Sequence, residues 1–150
     1  MIHHKVEQNG LEWHKLRLGI PTASKFDEIL TPKKRERSSQ SRHYLYRLVA
    51  EWIAGEVLED EMYQNQWMQR GQEREDGAIA AYEFRTDTET QPGGFFTLDN
   101  GLAGASPDRL AGADGIVEIK CPLLSKQVEG ALQGVEADHV CQLQGQMWIT

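Results

Sequence analysis

Ser106-Pro107-Asp108 and, after nine intervening residues, Glu118-Ile119-Lys120 place two carboxylates and one ammonium close together in the chain. In an extended strand alternate side chains share a face, so Glu118 and Lys120 point the same way while Ile119 points into the opposite layer. Asp108 and Glu118, with the Ile119 backbone carbonyl as a third oxygen, suit a hard divalent cation and leave positions for water and a phosphate. Lys120 beside them can hold an attacking water and stabilise charge on a pentavalent transition state. The same residues also suit a surface salt bridge in a β-hairpin, so their context matters. Glu75, in the helical run Arg70 to Glu75 upstream, can supply a further carboxylate, and Gln142-Leu143-Gln144 downstream can orient water or phosphate. Taken singly, Glu75 and the glutamines read as solvated helix faces; their order around the strand motif is what counts.

The elements that must position these residues follow from periodicity. A short helix is predicted from Gly10 to Leu18, ending at Gly19. A second short helix, capped by Thr22 or Ser24, runs through Ile29 and Leu30 and is stopped by Thr31-Pro32. Lys33 to Arg42 reads as a basic loop. Leu45, Leu48, Val49, Trp52 and Ile53 predict a helix from Ser41 to Ala54, and Met68, Ala78, Ile79, Ala81 and Tyr82 predict another from about Gln66 to Phe84. From Thr86 to Thr97 the composition changes to Thr and Phe broken by Pro92-Gly93-Gly94, which reads as strand, turn, strand. Short strands are expected over Leu102 to Ser106, Arg109 to Ala111 and Gly115 to Ile119, then helices over Ser125 to Leu132 and Ala137 to Ile149. Helices, antiparallel strands and helices in this order predict an α/β or α+β domain with a central mixed sheet.

Composition narrows the chemistry. With 150 residues the chain holds one domain, 1–150, and no second catalytic one. Two cysteines, Cys121 and Cys141, neither in a C-x-x-C pair, argue against a disulfide scaffold, a four-thiolate zinc site and a thiolate-held iron–sulfur cluster. His3, His4, His14, His43 and His139 show no ligand spacing, so any metal must use oxygen donors. No apolar run approaches the ~20 residues of a membrane span and the N-terminus has no apolar signal core, which predicts a cytoplasmic protein without membrane contact. The net charge of -7 conceals a gradient: residues 1–50 carry +5, residues 51–100 carry -9 and residues 101–150 carry -3. The basic run Lys33 to Arg37, with Arg42 and Arg47, can track a phosphate backbone or simply be a solvated loop, while the acidic remainder can hold cations.

Five motifs in order, Gly19-Ile20-Pro21-Thr22-Ala23-Ser24, Gly71-x-x-x-Glu75, Ser106-Pro107-Asp108, Glu118-Ile119-Lys120-Cys121-Pro122 and Gln142-Leu143-Gln144-Gly145-Gln146-Met147-Trp148, resemble the YqaJ/lambda-exonuclease family of phage recombination nucleases. The resemblance runs from about Trp13 to Thr150. It implies a PD-(D/E)XK nuclease fold, a central mixed β-sheet flanked by helices, and Mg²⁺-dependent 5′→3′ digestion of one strand of linear double-stranded DNA, leaving 3′ single-stranded tails. It also implies a ring-shaped homotrimer, a single-strand annealing protein as partner, and a phage or prophage protein acting in a bacterial cytoplasm.

Residue by residue, the resemblance implies that Asp108, Glu118 and the Ile119 carbonyl hold one or two Mg²⁺ ions, with Mn²⁺ as a substitute. Lys120 is the catalytic lysine, and Glu75 and Gln142 take supporting active-site positions. Arg17, Ser24, Ser106 and Lys126 correspond to a 5′-phosphate pocket; the last keeps the family's charge without an arginine's bidentate fork. Met68 stands where an apolar wedge would split the terminal base pair, although a core methionine is the simpler reading of that position. Family members continue past the Q-x-Q helix with a strand and further helices, so a C-terminally truncated domain is expected. Two other readings stay open: a PD-(D/E)XK endonuclease, and a non-catalytic DNA-binding or assembly remnant of a prophage nuclease.

Overall fold

The computed structural model describes residues 1–56, 58, 66–134 and 137–150, and the side chains of all of these but 66–70, 72 and 138. Strand β1 (Ile2–His4) and helix α1 (Leu11–Arg17) are followed by a 3-10 turn (Ala23–Lys25) that runs into α2 (Phe26–Ile29). Helices α3 (Ser41–Ala54) and α4 (Gln66–Thr86) precede five short strands. These are β2 (Thr90–Pro92), β3 (Phe95–Thr97), β4 (Gly104–Ala105), β5 (Arg109–Ala111) and β6 (Gly115–Val117). Helices α5 (Leu124–Gln133) and α6 (Ala137–Ile149) close the chain.

The helices form where apolar periodicity predicts them. α3 keeps the expected bounds and stops at Gly55, whose φ of 70° lets its N–H return to the Glu51 carbonyl at 2.8 Å. α2 departs from expectation: neither Thr22 nor Ser24 caps it, and the 3-10 turn has no side-chain cap. The Thr22 N–H is instead taken by the buried Tyr44 hydroxyl of α3, at 3.1 Å.

The α/β class stands, with one correction to the sheet. Among the described residues the strands form two three-stranded antiparallel ladders, β1-β3-β4 and β2-β5-β6, and the parallel pairing is the isolated bridge Thr22–Gly104. The strands on either side of Gly93-Gly94 therefore belong to different ladders. The cause is local. A Cβ on Gly93 would lie 1.8 Å from the Pro107 carbonyl oxygen, so the backbone passes directly against the Ser106-Pro107-Asp108 loop, and Gly94 turns away at φ 69°. β1 carries no sequence signal of its own; it is held by His3 stacked on Phe96, ring centroids 4.0 Å apart, and by a hydrogen bond from His3 Nε2 to the Gly93 carbonyl.

The buried apolar core joins Ala23, Phe96, Ala103, Ala105 and Ile149, with Phe26, Leu98 and Leu110 packed against it. It fastens α6 to the 3-10 turn and to α2. The approach is close enough that a Cβ on Gly145 would fall 2.5 Å from Phe26 Cδ2 and 3.1 Å from Ala23 Cβ. No described helix is long and apolar enough to cross a membrane.

Candidate active site

Asp108 and Glu118 enter the site from the two ends of one hairpin. Arg109 pairs with Val117 across β5 and β6, so the residues flanking that pair, Asp108 and Glu118, emerge side by side at the open end. The Ile119 N–H donates to Asp108 Oδ2 at 2.6 Å and locks the two ends together. Glu118 and Lys120 lie on one side, as alternation predicts, with Lys120 Nζ 2.6 Å from Glu118 Oε1. The carboxylate is 6% exposed and the ammonium 40%, so the lysine reaches inward from the surface.

Helix α6 adds two amides. Gln142 Nε2 donates to Glu118 Oε1 and Gln146 Nε2 donates to Glu118 Oε2, each at 2.6 Å. Gln144, on the other side of the helix, is exposed and takes no part. Gln146 was not among the residues that spacing singled out, although a glutamine four positions from Gln142 must share its helix face. Glu75 approaches from α4, half-buried. The α4 terminus is tied to β2, the strand paired with the hairpin, by Glu83, which accepts from the Thr90 N–H at 2.8 Å and the Thr90 hydroxyl at 2.6 Å. Arg109 donates to the same threonine, through Nε to the hydroxyl and through its guanidinium to the carbonyl, each at 2.9 Å.

Three acids share this field. Burial, followed by the charge of Glu118, pushes the Asp108 carboxyl up to about 7, with Glu75 adding and the Ile119 N–H and Lys120 opposing. Glu75 is raised by burial and by the charges of Asp76 and Glu118, against Arg109 and Lys120. The centre carries more negative charge than its neighbours balance, and its donors are oxygens. That combination fits a hard divalent cation held by Asp108, Glu118 and a backbone carbonyl. Among the described residues no three His, Cys, Asp or Glu side chains converge as a metal cage; Glu75 acts on the other two acids through its charge.

A second group lies beside it. The Arg17 guanidinium stacks over the Trp13 ring, 4.0 Å from its centroid, and reaches the Thr22 hydroxyl at 3.5 Å, while Thr22 Oγ1 sits 3.3 Å from Ser24 Oγ. Helix α3 holds this turn from below: Glu51 accepts from the Gly19 N–H at 3.1 Å, and Tyr44 takes Thr22. Trp13 Nε1 donates to Ser106 Oγ at 2.9 Å and so connects Arg17 to the Ser-Pro-Asp loop. Ser106 Oγ also accepts from Gln8 Nε2 at 2.9 Å and donates to the Gly94 carbonyl at 2.6 Å, which occupies its proton and both lone pairs. Neither Trp13 nor Gln8 was legible as a site residue. Lys126, on α5, pairs with Glu129 at 3.0 Å. The Met68 side chain lies outside the described residues.

The site is thus an acidic oxygen-donor centre on a hairpin end, flanked by a serine–arginine turn, within an α/β fold. The chain belongs to the YqaJ-like viral recombinase family, whose domain model matches residues 12–150. Its structure is similar to an alkaline exonuclease, LHK-Exo, from Laribacter hongkongensis, with a TM-score of 0.82 and 31% sequence identity over 94% of this chain and 69% of that one. Similarity to LHK-Exo in complex with dAMP is equivalent, with a TM-score of 0.81 and 31% identity over 92% of this chain and 67% of that one. A search of curated proteins finds no match.

Proposed function

We propose that this chain is a Mg²⁺-dependent exonuclease that degrades one strand of linear double-stranded DNA from a 5′-phosphorylated end, 5′→3′, leaving 3′ tails for recombination by strand annealing. The observation that carries the reading is the juxtaposition of Asp108 and Glu118, each within the other's field, with Lys120 and Gln142 on one Glu118 oxygen. Family membership and the likeness to an alkaline exonuclease support it.

Asp108, Glu118 and the Ile119 carbonyl would hold one or two Mg²⁺, or Mn²⁺ in its place. When bound, the cation supplies Lewis acidity, lowering the pKa of a bound water and neutralising charge on the leaving 3′-oxygen. The chain's own groups do the rest. Gln142 fixes Glu118, and Lys120, reaching in from the surface, positions the attacking water and offsets charge on the scissile phosphate. Glu75 adds negative field to the same centre. Arg17 and Ser24 present a cation and a hydroxyl to a terminal 5′-phosphate, together with Lys126. Ser106 contributes through its loop, since its hydroxyl is occupied in this arrangement. Partners follow from the same reading: double-stranded DNA ends, a single-strand annealing protein, and two further copies of the chain in a homotrimer, in the cytoplasm of a bacterial host.

The test is single-turnover digestion of a 5′-phosphorylated linear duplex in Mg²⁺ and in EDTA, with wild type and Lys120→Ala. Cleavage should require the metal and fall about 10²- to 10³-fold in the variant. Cleavage in EDTA, or an undiminished Lys120→Ala rate, would overturn the reading.

A further inference from the structure

Gln146 is the most deeply buried polar side chain of the site, 1% exposed, and its Oε1 has no hydrogen-bond partner among the described residues. Such an acceptor is costly, and a methionine of similar length would fill the same space without the cost. What the amide supplies and methionine does not is its N–H pair. One hydrogen is donated to Glu118 Oε2 at 2.6 Å; the same nitrogen lies 3.5 Å from the Ser106 carbonyl, at the limit of a hydrogen bond. Turning the amide over would set its oxygen against the carboxylate, so Glu118 dictates its orientation.

The count of lone pairs on Glu118 gives this contact a consequence. A carboxylate offers about four acceptor positions. Lys120 and Gln142 take two on Oε1, and Gln146 takes one on Oε2. Among the described residues Oε2 alone keeps an open position, and Gln146 sets its direction. Through Ser106 the same amide also touches the loop that carries Asp108.

We infer that Gln146 is a positioning residue: it clamps Glu118 so that one lone pair of Oε2 stays open toward a divalent cation, and it acts through Glu118 without touching DNA. This rests on the metal-dependent nuclease reading above. Gln146→Met should fold, weaken Mn²⁺ binding about tenfold or more by the electron paramagnetic resonance signal of free Mn²⁺, and lower kcat while leaving KM for the duplex unchanged. Gln146→Asn is the second arm. It keeps the amide but is one methylene too short to reach Glu118 Oε2, so its Mn²⁺ affinity should fall with that of Gln146→Met. A Gln146→Met affinity within twofold of wild type would overturn the inference, as would a Gln146→Asn affinity within twofold should the methionine variant fail to fold. A wild-type chain that binds no Mn²⁺ would bring down the nuclease reading itself, and this inference with it.

Discussion

Asp108 converts the charge surplus of the site into a measurable pH dependence. Its carboxyl is raised from 3.8 to about 7 in the folded chain, chiefly by burial and then by Glu118. Between those values the folded state holds a proton that the unfolded state releases, so stability falls as pH rises. In EDTA the contribution should be complete below about pH 4 and lost through pH 7, lowering Tm by several degrees, with Asp108→Asn abolishing most of the slope. Calorimetric scans from pH 4 to pH 8 check this, and a flat wild-type profile would refute it. Trp13 offers a second test at this scale. Trp13→Phe keeps a ring beneath Arg17 but removes the hydrogen bond to Ser106. Preference for a 5′-phosphate over a 5′-hydroxyl end, measured as the ratio of kcat/KM values, should drop about three- to tenfold, the worth of one such bond.

At the scale of elements, the helices were legible and the strand pairing was not. α3 carries five apolar residues at helical spacing and a terminal glycine, and its limits follow directly. Strands of two or three residues carry no period, so nothing in Thr90 to Thr97 announces that Gly93 must pass under Pro107 and divide two ladders. The site shows the same division. Glu118 and Lys120 were readable from alternation, Asp108 from the Ser-Pro-Asp motif before them and Gln142 from its place after them, whereas Gln146 was missed although four-residue spacing puts it on the Gln142 face. Gln8 and Trp13 reach Ser106 across more than ninety positions, a distance no local pattern spans. Two glycines test the geometry. Helix propensity alone favours Gly145→Ala by about 1 kcal/mol. The clash with Phe26 and Ala23 should outweigh it, since overpacking costs about 1–3 kcal/mol, and thermal unfolding should show a net loss with slowed cleavage. Gly93→Ala meets backbone and should be worse, lowering Tm by about 5 °C or more.

For the whole molecule, the proposed function accounts for the electrical polarity of the chain: a basic first third would face phosphate at one DNA end while the acidic remainder would hold cations. Arg17 and Ser24 belong to the first region, and Asp108 and Glu118 to the second; Trp13 and Ser106 join them. Cleavage should weaken steeply with added salt through the basic contacts. α3 leaves Leu45, Val49 and Trp52 exposed around a groove of about 500 Å³, an apolar face consistent with the proposed self-association. Light scattering after size exclusion should report three times the 17.0 kDa chain mass, and a concentration-independent monomer would exclude the ring. The central claim, digestion of one strand from a phosphorylated end, is met most directly by a linear duplex with one 5′-phosphate and one 5′-hydroxyl terminus, incubated with Mg²⁺ beside a closed circular duplex. The account predicts progressive loss of the phosphorylated strand with the circle intact; cutting of the circle, or equal attack on both ends, would contradict it.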